Sequence, residues 1–243
     1  MRLTDFITES INDKGILKAV FFTGQAGSGK SRLLGKVRDV TMPIVKLTTD
    51  TWTDFFNDKG RMDWKDFGPK AKILTVAEIL NKVNGLFPAF IETTGGDTER
   101  FKKRVDFLRD MGYDVSLIII ETSLEQSLIS VSKRNQIQSR KIENDAVIKI
   151  YHDFTKSIAS FKSIIPDHIS INNEGYPKEN AEKAYKIVMN RLNSPVKNDK
   201  GKKLLDYMKK MGYKYYNDIP LEWRQENDFP SLDKNTIQWF KNI

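Results

Sequence analysis

Residues 20–34 read VFFTGQAGSGKSRLL, an apolar run that breaks into three glycines, a lysine and a serine before turning apolar again. The stretch fits the spacing G-x-x-x-x-G-K-[ST], with Gly24, Gly29, Lys30 and Ser31 in the fixed positions. The match is complete, follows a β-type run and precedes a helical run, so a chance glycine-rich turn is the weaker interpretation. The spacing predicts a loop that binds the phosphates of a nucleotide, and alone it does not name the reaction.

The residue types of this loop explain how it would hold a phosphate. Glycine permits the dihedrals that turn backbone N–H groups inward, and the loop opens a helix whose N-terminus carries partial positive charge. Lys30 is predicted to reach the β- and γ-phosphates of ATP, and the Ser31 hydroxyl to ligate Mg²⁺. No base-reading motif is visible, so GTP stays open as the donor. The predicted nucleotide-binding residues are Gly24, Gln25, Ala26, Gly27, Ser28, Gly29, Lys30 and Ser31.

Apolar, β-prone segments alternate with amphipathic helical segments along the first 192 residues. This alternation predicts right-handed βαβ units, and therefore a parallel sheet covered by helices on both faces. We expect an α/β protein with the three-layer P-loop NTPase fold and a mostly parallel five-stranded sheet. The predicted strands are 16–23, 43–50, 88–94, 114–121 and 167–173. The predicted helices include 4–12, 30–40, 71–87, 97–112, 143–161 and 179–192.

The composition limits the class of protein. No stretch approaches the roughly 20 apolar residues that a membrane span needs, and acids near the N-terminus argue against a secretory signal. The chain has no cysteine, which excludes disulfides and thiolate metal sites and fits a cytoplasmic protein. The formal net charge of +8 favours a polyanionic partner, because Lys and Arg beside phosphates release counterions. An ordinary basic surface explains this charge equally well.

Two acidic residues are predicted at the carboxyl ends of strands, where ligands bind in parallel α/β sheets. Asp50 ends the second predicted strand, and its carboxylate could take the proton of an attacking hydroxyl during phosphoryl transfer. Glu92 ends the third, where it could orient the acceptor or hold a metal-bound water. Each has a simpler alternative. Asp50 could cap the following helix, and Glu92 could be a polar strand end before a Gly-Gly turn.

Two arginines flank a predicted helix break in the segment SVSKRNQIQSRKIEN, residues 130–144. Arg134 and Arg140 would suit a closing lid that neutralises charge on a transferring phosphoryl group, although a solvated basic face is the alternative. The D-x-x-G and N-K-x-D sequences typical of switch GTPases are absent. The nearest match to a Walker-B acid is Glu121 after SLIII, and it is also explained as a polar strand end.

Together these segments resemble the 5′-kinase domains of polynucleotide kinases, the zeta toxins, and the phage kinases that act on hydroxymethylated DNA bases such as hydroxymethyluracil. GQAGSGKS is similar to their phosphate loop, IETT to the acidic strand end of the zeta toxins, and RNQIQSRKIENDAV to their lid. The resemblance covers residues 16–192 and implies ATP and Mg²⁺ as cofactors, with Asp50 as the base that activates the acceptor. The residues it carries over are Lys30, Ser31, Asp50, Glu92, Arg134 and Arg140.

The chain beyond residue 192 lies outside the resemblance. We therefore divide it into a P-loop kinase domain, 1–192, and a linker with a basic, aromatic helical appendage, 193–243. Residues 196–216 hold seven lysines and two aspartates interleaved with four tyrosines. The lysines could follow a phosphate backbone while the rings stack on bases. Alternatively, the segment is an amphipathic helix that packs on the core through Leu204, Leu205, Met208 and Met211.

These observations predict an ATP- and Mg²⁺-dependent kinase that transfers the γ-phosphate to a hydroxyl of a nucleic acid or a nucleotide-linked substrate. Two alternatives stay open. One is a nucleotide-sugar kinase like the zeta toxins, and the other is a P-loop ATPase or nucleotide-binding regulator. The oligomeric state is not predicted.

Overall fold

The computed structural model describes residues 15–38, 45–47, 70, 73–74, 77–78, 80–94, 96–137 and 141–232. Within these residues, five strands form one sheet in the order β2-β3-β1-β4-β5, and all four pairings are parallel. The strands are β1 (Lys18–Thr23), β2 (Val45–Leu47), β3 (Ala89–Thr93), β4 (Asp114–Glu121) and β5 (His168–Asn172). The predicted α/β fold with a parallel sheet is confirmed.

Helices connect the strands and follow the sheet. They are α1 (Lys30–Arg38), α2 (Thr98–Asp110), α3 (Leu124–Ile137), α4 (Asn144–Ile164), α5 (Lys178–Leu192), α6 (Asp199–Met211) and α7 (Leu221–Glu226). Residues 80–84 are also helical, and Tyr216–Asp218 form a 3₁₀ turn. The predicted leading helix, 4–12, and the helix expected after Asp50 lie outside the described residues. No described helix combines the length and the apolar character that crossing a membrane requires.

Side chains of the central strands alternate between two cores, one on each face of the sheet. Ala19 and Phe21 of β1 enter the first core, whereas Val20 and Phe22 enter the second. This follows from the two-residue period of a strand, which sends successive side chains to opposite faces. The first core is completed by α2, α4 and α6, and the second by α1 and α5. Because both faces are covered, the middle of each central strand is mostly apolar, as in residues 19–22 and 117–120.

The α2 helix shows how local sequence sets the ends of an element. Asp97 is its N-cap, and the Asp97 carboxylate accepts a hydrogen bond from the Arg100 amide at 2.9 Å. This satisfies one of the amide donors that a helix leaves open at its start. Phe101 lies one turn further and packs edge-on against Phe21 of β1, with ring centroids 5.0 Å apart. The cap and this contact together fix α2 on the sheet.

The α6 helix packs against the core at the amino edge of the sheet, which is opposite the edge where β1 ends. The Asp114 carboxylate, at the start of β4, accepts hydrogen bonds from the backbone amides of Lys197 and Asn198 just before α6. A Cβ on Gly201 would clash with the carbonyl oxygen of Gly112. The α6 backbone can therefore pack this closely against the turn before β4 only because residue 201 is glycine. The buried residues of α6 are Gly201, Leu204, Leu205 and Met208. Met211, also expected in this apolar set, is 49% exposed.

Candidate phosphate-binding site

The predicted phosphate loop lies between β1, which ends at Thr23, and α1, which begins at Lys30. Gly27 and Gly29 have φ of 77° and 85°, the left-handed region that glycine adopts without strain. The loop therefore curls around the N-terminus of α1, where the helix dipole favours negative charge. This is the geometry that the spacing in the sequence predicted, at the carboxyl edge of a parallel sheet.

Lys30 lies folded across the loop and is 7% exposed. Its ammonium donates hydrogen bonds to the carbonyl oxygens of Gly24 at 2.5 Å and Gln25 at 2.9 Å. The side chain therefore places its charge within the ring of loop atoms, at the N-terminus of α1. A cation held there can meet the phosphates of a nucleotide without a large movement of the backbone.

Ser31 and Glu92 bring two oxygen groups together from different elements. The Ser31 hydroxyl donates to the Glu92 carboxylate over 3.2 Å. Glu92 lies beside Phe22 of β1 in the parallel register between β1 and β3, so the sheet fixes its place next to the loop. Hydroxyl and carboxylate oxygens are the ligand type that Mg²⁺ prefers. The residues at this point fit a Mg²⁺ ion held between the loop, Glu92 and the nucleotide phosphates.

Buried polar atoms around the loop have unsatisfied hydrogen-bonding capacity. Thr23 Oγ1, Gln25 Oε1 and Ser28 Oγ have no hydrogen-bond partner within the described part of the chain. Leaving such an atom unpaired costs about 1–3 kcal/mol. The Gln25 side chain still uses its amide, which donates to the Thr122 carbonyl at 2.5 Å just after β4. Unpaired polar atoms of this kind are typical of a site that a polar ligand or water completes.

The loop between β5 and α5 borders the phosphate loop, and its role was not predicted from the sequence. Asn173 donates from its side-chain amide to the Ser28 carbonyl at 2.8 Å, and the Tyr176 hydroxyl hydrogen-bonds to the Gly27 carbonyl. The signal that could have indicated these residues is the polar run INNEGY, which follows the last predicted strand at the edge where ligands bind.

Glu174 in the same loop ties β5 to the start of α3. Its carboxylate accepts from the Ser123 amide at 2.7 Å, the Thr122 hydroxyl at 2.7 Å and the Ser123 hydroxyl at 2.8 Å. The Ser123 backbone amide, followed by the two hydroxyls, holds the pKa of Glu174 below its ordinary value. Hydrogen bonds to the charged form favour ionisation, so the carboxylate stays charged and keeps the two loops joined.

The α3 helix carries Arg134 and packs directly on the phosphate loop. A Cβ on Gly27 would lie 2.6 Å from the Ser127 carbonyl oxygen, so the loop and the helix backbone are in contact. Arg134 follows Ser127 by two turns on the same helix face, about 10 Å along the axis. Arg134 is partly buried, and its Nε has no hydrogen-bond partner within the described residues.

The predicted site residues therefore divide into two groups. The structure brings together the loop residues, Lys30, Ser31 and Glu92, and it places Arg134 on the helix that covers the loop. Asp50 and Arg140 lie outside the described residues, so their predicted roles stay predictions. Of the residues described, no group of three or more His, Asp or Glu side chains forms a metal-binding cluster.

Comparison with known proteins agrees with this geometry. The family model described as Zeta toxin matches residues 7–187. Comparison with curated proteins finds no relative with significant sequence similarity.

Solved structures with a TM-score above 0.5 include three that illustrate the range of matches. The PezAT chromosomal toxin-antitoxin system of Streptococcus pneumoniae matches at TM-score 0.51 and 17% identity, over 86% of this chain and 92% of that chain. The Pnkp1/Rnl/Hen1 RNA repair complex matches at TM-score 0.52 and 15% identity, over 62% of this chain and 48% of that chain. A putative kinase from Chloroflexus aurantiacus matches at TM-score 0.51 and 13% identity, over 72% of this chain and 98% of that chain. This chain thus matches about half the length of the RNA repair protein. At these low identities, the three matches show that this chain has the same fold as the three proteins.

Proposed function

The chain belongs to the zeta toxin family, and on that premise we propose that it is an ATP- and Mg²⁺-dependent kinase. It transfers the γ-phosphate to a hydroxyl of a nucleic acid or a nucleotide-linked substrate. The observation that carries the proposal is the convergence of Lys30, Ser31 and Glu92 at the phosphate loop. A hydrolase-type switch is disfavoured because the sequence lacks D-x-x-G and N-K-x-D motifs.

Each residue of the site has a role in holding or moving charge. The loop amides and Lys30 bind the phosphates, and Lys30 shifts from the Gly24 and Gln25 carbonyls to the β- and γ-phosphates. Mg²⁺, when bound, neutralises charge on the phosphate oxygens, and Ser31 would hold it with Glu92 nearby. Because the bound triphosphate is oriented before reaction, positioning and electrostatics supply most of the rate.

The transfer itself needs an acceptor, a base and a cation. The bond between the γ-phosphorus and its bridging oxygen breaks while a new bond forms to the acceptor oxygen, and ADP leaves. Asp50 takes the acceptor's hydroxyl proton, as the resemblance implies for that position. Arg134, with Arg140, stabilises the charge that spreads over the phosphoryl oxygens. The α3 helix supports this role for Arg134, because it packs on Gly27 of the loop.

For the acceptor, net charge and family likeness support a phosphate-bearing molecule. The formal net charge of +8 favours binding of a polyanion. One relative by fold belongs to an RNA repair complex, which supports a polynucleotide, and another belongs to a toxin-antitoxin system. A nucleotide-sugar is therefore the second candidate acceptor, on the strength of the family match.

An acceptor screen with γ-labelled ATP tests the proposal. The full chain is incubated with DNA, RNA, DNA carrying hydroxymethylated bases, and nucleotide-sugars, with Lys30→Ala as the matched inactive variant and Lys156→Ala, an exposed lysine on α4, as the control. Label transferred to one acceptor class, dependent on Lys30, supports the kinase. Phosphate release at the same rate with every acceptor and with none supports an ATPase instead. Unchanged nucleotide binding and turnover in Lys30→Ala would overturn the assignment of the loop.

A further inference from the structure

A phosphate loop that turns its amides inward must direct carbonyl groups outward, where they need donors of their own. In this chain the outward carbonyls of Gly27 and Ser28 meet side chains of the β5–α5 loop, residues 173–177. Ser28 is fully buried, so its carbonyl cannot rely on bulk water. The partners of these two carbonyls therefore influence which way the adjoining peptide units face.

Asn173 is fixed in place before it reaches the loop. It is 1% exposed, and its backbone amide donates to the Glu121 carbonyl at 2.7 Å. Its side-chain oxygen accepts from the Asn180 amide at 3.1 Å, which leaves its own amide directed at the Ser28 carbonyl, 2.8 Å away. Asn180 is held in turn by the Asn172 carbonyl at 2.7 Å. Asn173 is thus a rigid donor, supported by α5 and β4, and not a flexible surface amide.

Tyr176 holds the next carbonyl and links the loop to α3. Its hydroxyl contacts both the Gly27 carbonyl and the Ser130 hydroxyl, one helical turn before Arg134. Because a carbonyl can only accept, the phenol proton is directed to Gly27. The fit is close, since a Cβ on Gly29 would lie 2.5 Å from the Asn173 amide nitrogen and 2.8 Å from the Tyr176 ring. Tyr176 adopts a φ of 56°, an uncommon conformation for a residue other than glycine.

We propose that Asn173 and Tyr176 are positioning residues of the phosphate loop. By holding the Ser28 carbonyl outward, Asn173 keeps the Gly29 amide of the same peptide unit turned toward the bound phosphates. Tyr176 fixes the preceding peptide unit through the Gly27 carbonyl, and the Ser28 amide of that unit donates to the Gln25 carbonyl at 3.2 Å. The inference rests on the proposed nucleotide-binding function of the loop and extends it to a second element. Loss of either donor allows the peptide units to rotate, which weakens phosphate binding without removing any group that contacts the phosphate.

Two substitutions test the proposal in the full chain. Asn173→Leu removes the donor at similar size without adding charge, and Tyr176→Phe removes only the hydroxyl. Binding of ADP is measured by calorimetry in the presence of Mg²⁺, with no acceptor present, and thermal unfolding is measured with and without ADP. We expect the Kd for ADP to rise about tenfold in each variant, the size of effect that one buried hydrogen bond gives. Asn190→Leu and Tyr185→Phe, both on α5, are the matched controls and should bind ADP like wild type.

Steady-state kinetics separate positioning from a purely structural role. The KM for ATP should rise with the Kd, whereas kcat at saturating ATP and the KM for the acceptor stay within about threefold of wild type. If both variants unfold at lower temperature but the folded protein binds ADP with wild-type affinity, the two residues are structural and the proposal is overturned. If wild type itself binds no ADP, the nucleotide-binding function fails, and the positioning role fails with it. Should Asn173→Leu not fold, Tyr176→Phe alone decides, because it retains the ring.

Discussion

The Ser31 hydroxyl donates a hydrogen bond to the Glu92 carboxylate at 3.2 Å, although 61 residues separate the two in sequence. Ser31 is placed by the first turn of α1 and Glu92 by the pairing of β3 with β1. Neither residue determines the position of the other through local structure. The contact exists because parallel pairing brings the carboxyl ends of neighbouring strands to one edge, where the nucleotide site is predicted.

Glu92→Gln tests whether this carboxylate supports the metal. The amide keeps the shape and can still accept from Ser31, but it removes the negative charge that helps to hold a divalent cation. We expect kcat/KM to fall about 10–100-fold, the range typical of groups that support a metal ligand, and more Mg²⁺ to be needed for half-maximal activity. The measurement is a Mg²⁺ titration of the phosphotransfer rate. Glu99→Gln, on the exposed surface of α2, is the control. An unchanged Mg²⁺ requirement in Glu92→Gln would leave the residue as a polar strand end.

Arg134→Ala tests the predicted lid. If the guanidinium stabilises the transferring phosphoryl group, kcat should fall by about 100-fold or more while the Kd for ADP changes little. Single-turnover phosphotransfer and ADP calorimetry measure the two quantities separately. Lys133→Ala removes the neighbouring exposed charge and should leave both near wild type. Equal effects of the two substitutions would instead indicate a general influence of positive charge on binding.

Asp50→Asn tests the base that the resemblance implies. The amide cannot take a proton, so the transfer rate to the acceptor should fall by about 100-fold or more. ATP binding should be retained, because the predicted role begins only when the acceptor is bound. Asp106→Asn on α2, which removes a surface carboxylate paired with Lys102, is the control. Transfer at the wild-type rate in Asp50→Asn would show that another group activates the acceptor.

The sequence predicts this fold best where strong apolar runs meet clear turn signals. The fourth strand was expected at 114–121 and is Asp114–Glu121. The first was expected from residue 16 but begins at Lys18, because residues 15–17 form a turn in which Leu17 adopts a φ of 54°. A β-prone composition does not reveal such a turn, since it is stabilised by the Leu17 amide donating to the distant Leu86 carbonyl at 2.9 Å.

In the candidate site, too, the features set by local sequence were predictable and those set by distant contacts were not. The phosphate loop was predictable because its function requires glycine, lysine and serine at fixed spacing in one short segment. The contact from Asn173 to Ser28 was not predictable, because 145 residues separate the partners and nothing local requires an asparagine there. Glu92 stands between these cases. Its strand end was visible in the sequence, but only the parallel register of β1 and β3 places it beside the loop.

Leu204→Ala tests how far the C-terminal segment contributes to the fold. Leu204 on α6 is fully buried in the core on the α2 and α4 side of the sheet, so its truncation leaves a cavity. We expect the free energy of unfolding to fall by about 2–5 kcal/mol, the range for a buried leucine. Urea unfolding measures the change, and Lys203→Ala, the exposed neighbour, should fall within about 0.5 kcal/mol of wild type. A wild-type midpoint for Leu204→Ala would show that the kinase fold is independent of this segment.

Alkaline pH should destabilise the same segment through Tyr216. Burial raises the pKa of Tyr216 to about 12 against the opposing charge of Arg224, and its hydroxyl donates to the Pro230 carbonyl at 2.5 Å. Because the folded pKa lies above the ordinary value of 10.0, the unfolded chain loses this proton first. The stability that the protonated Tyr216 hydroxyl adds to the folded state is therefore fully present below about pH 10 and is lost as the pH rises towards 12. Urea unfolding between pH 9 and 11.5, at roughly half-unit steps, should show a smaller loss of stability with pH in Tyr216→Phe than in wild type. Tyr215→Phe, which changes a half-exposed neighbour, should retain the wild-type slope, and equal slopes in all three proteins would contradict the role of Tyr216.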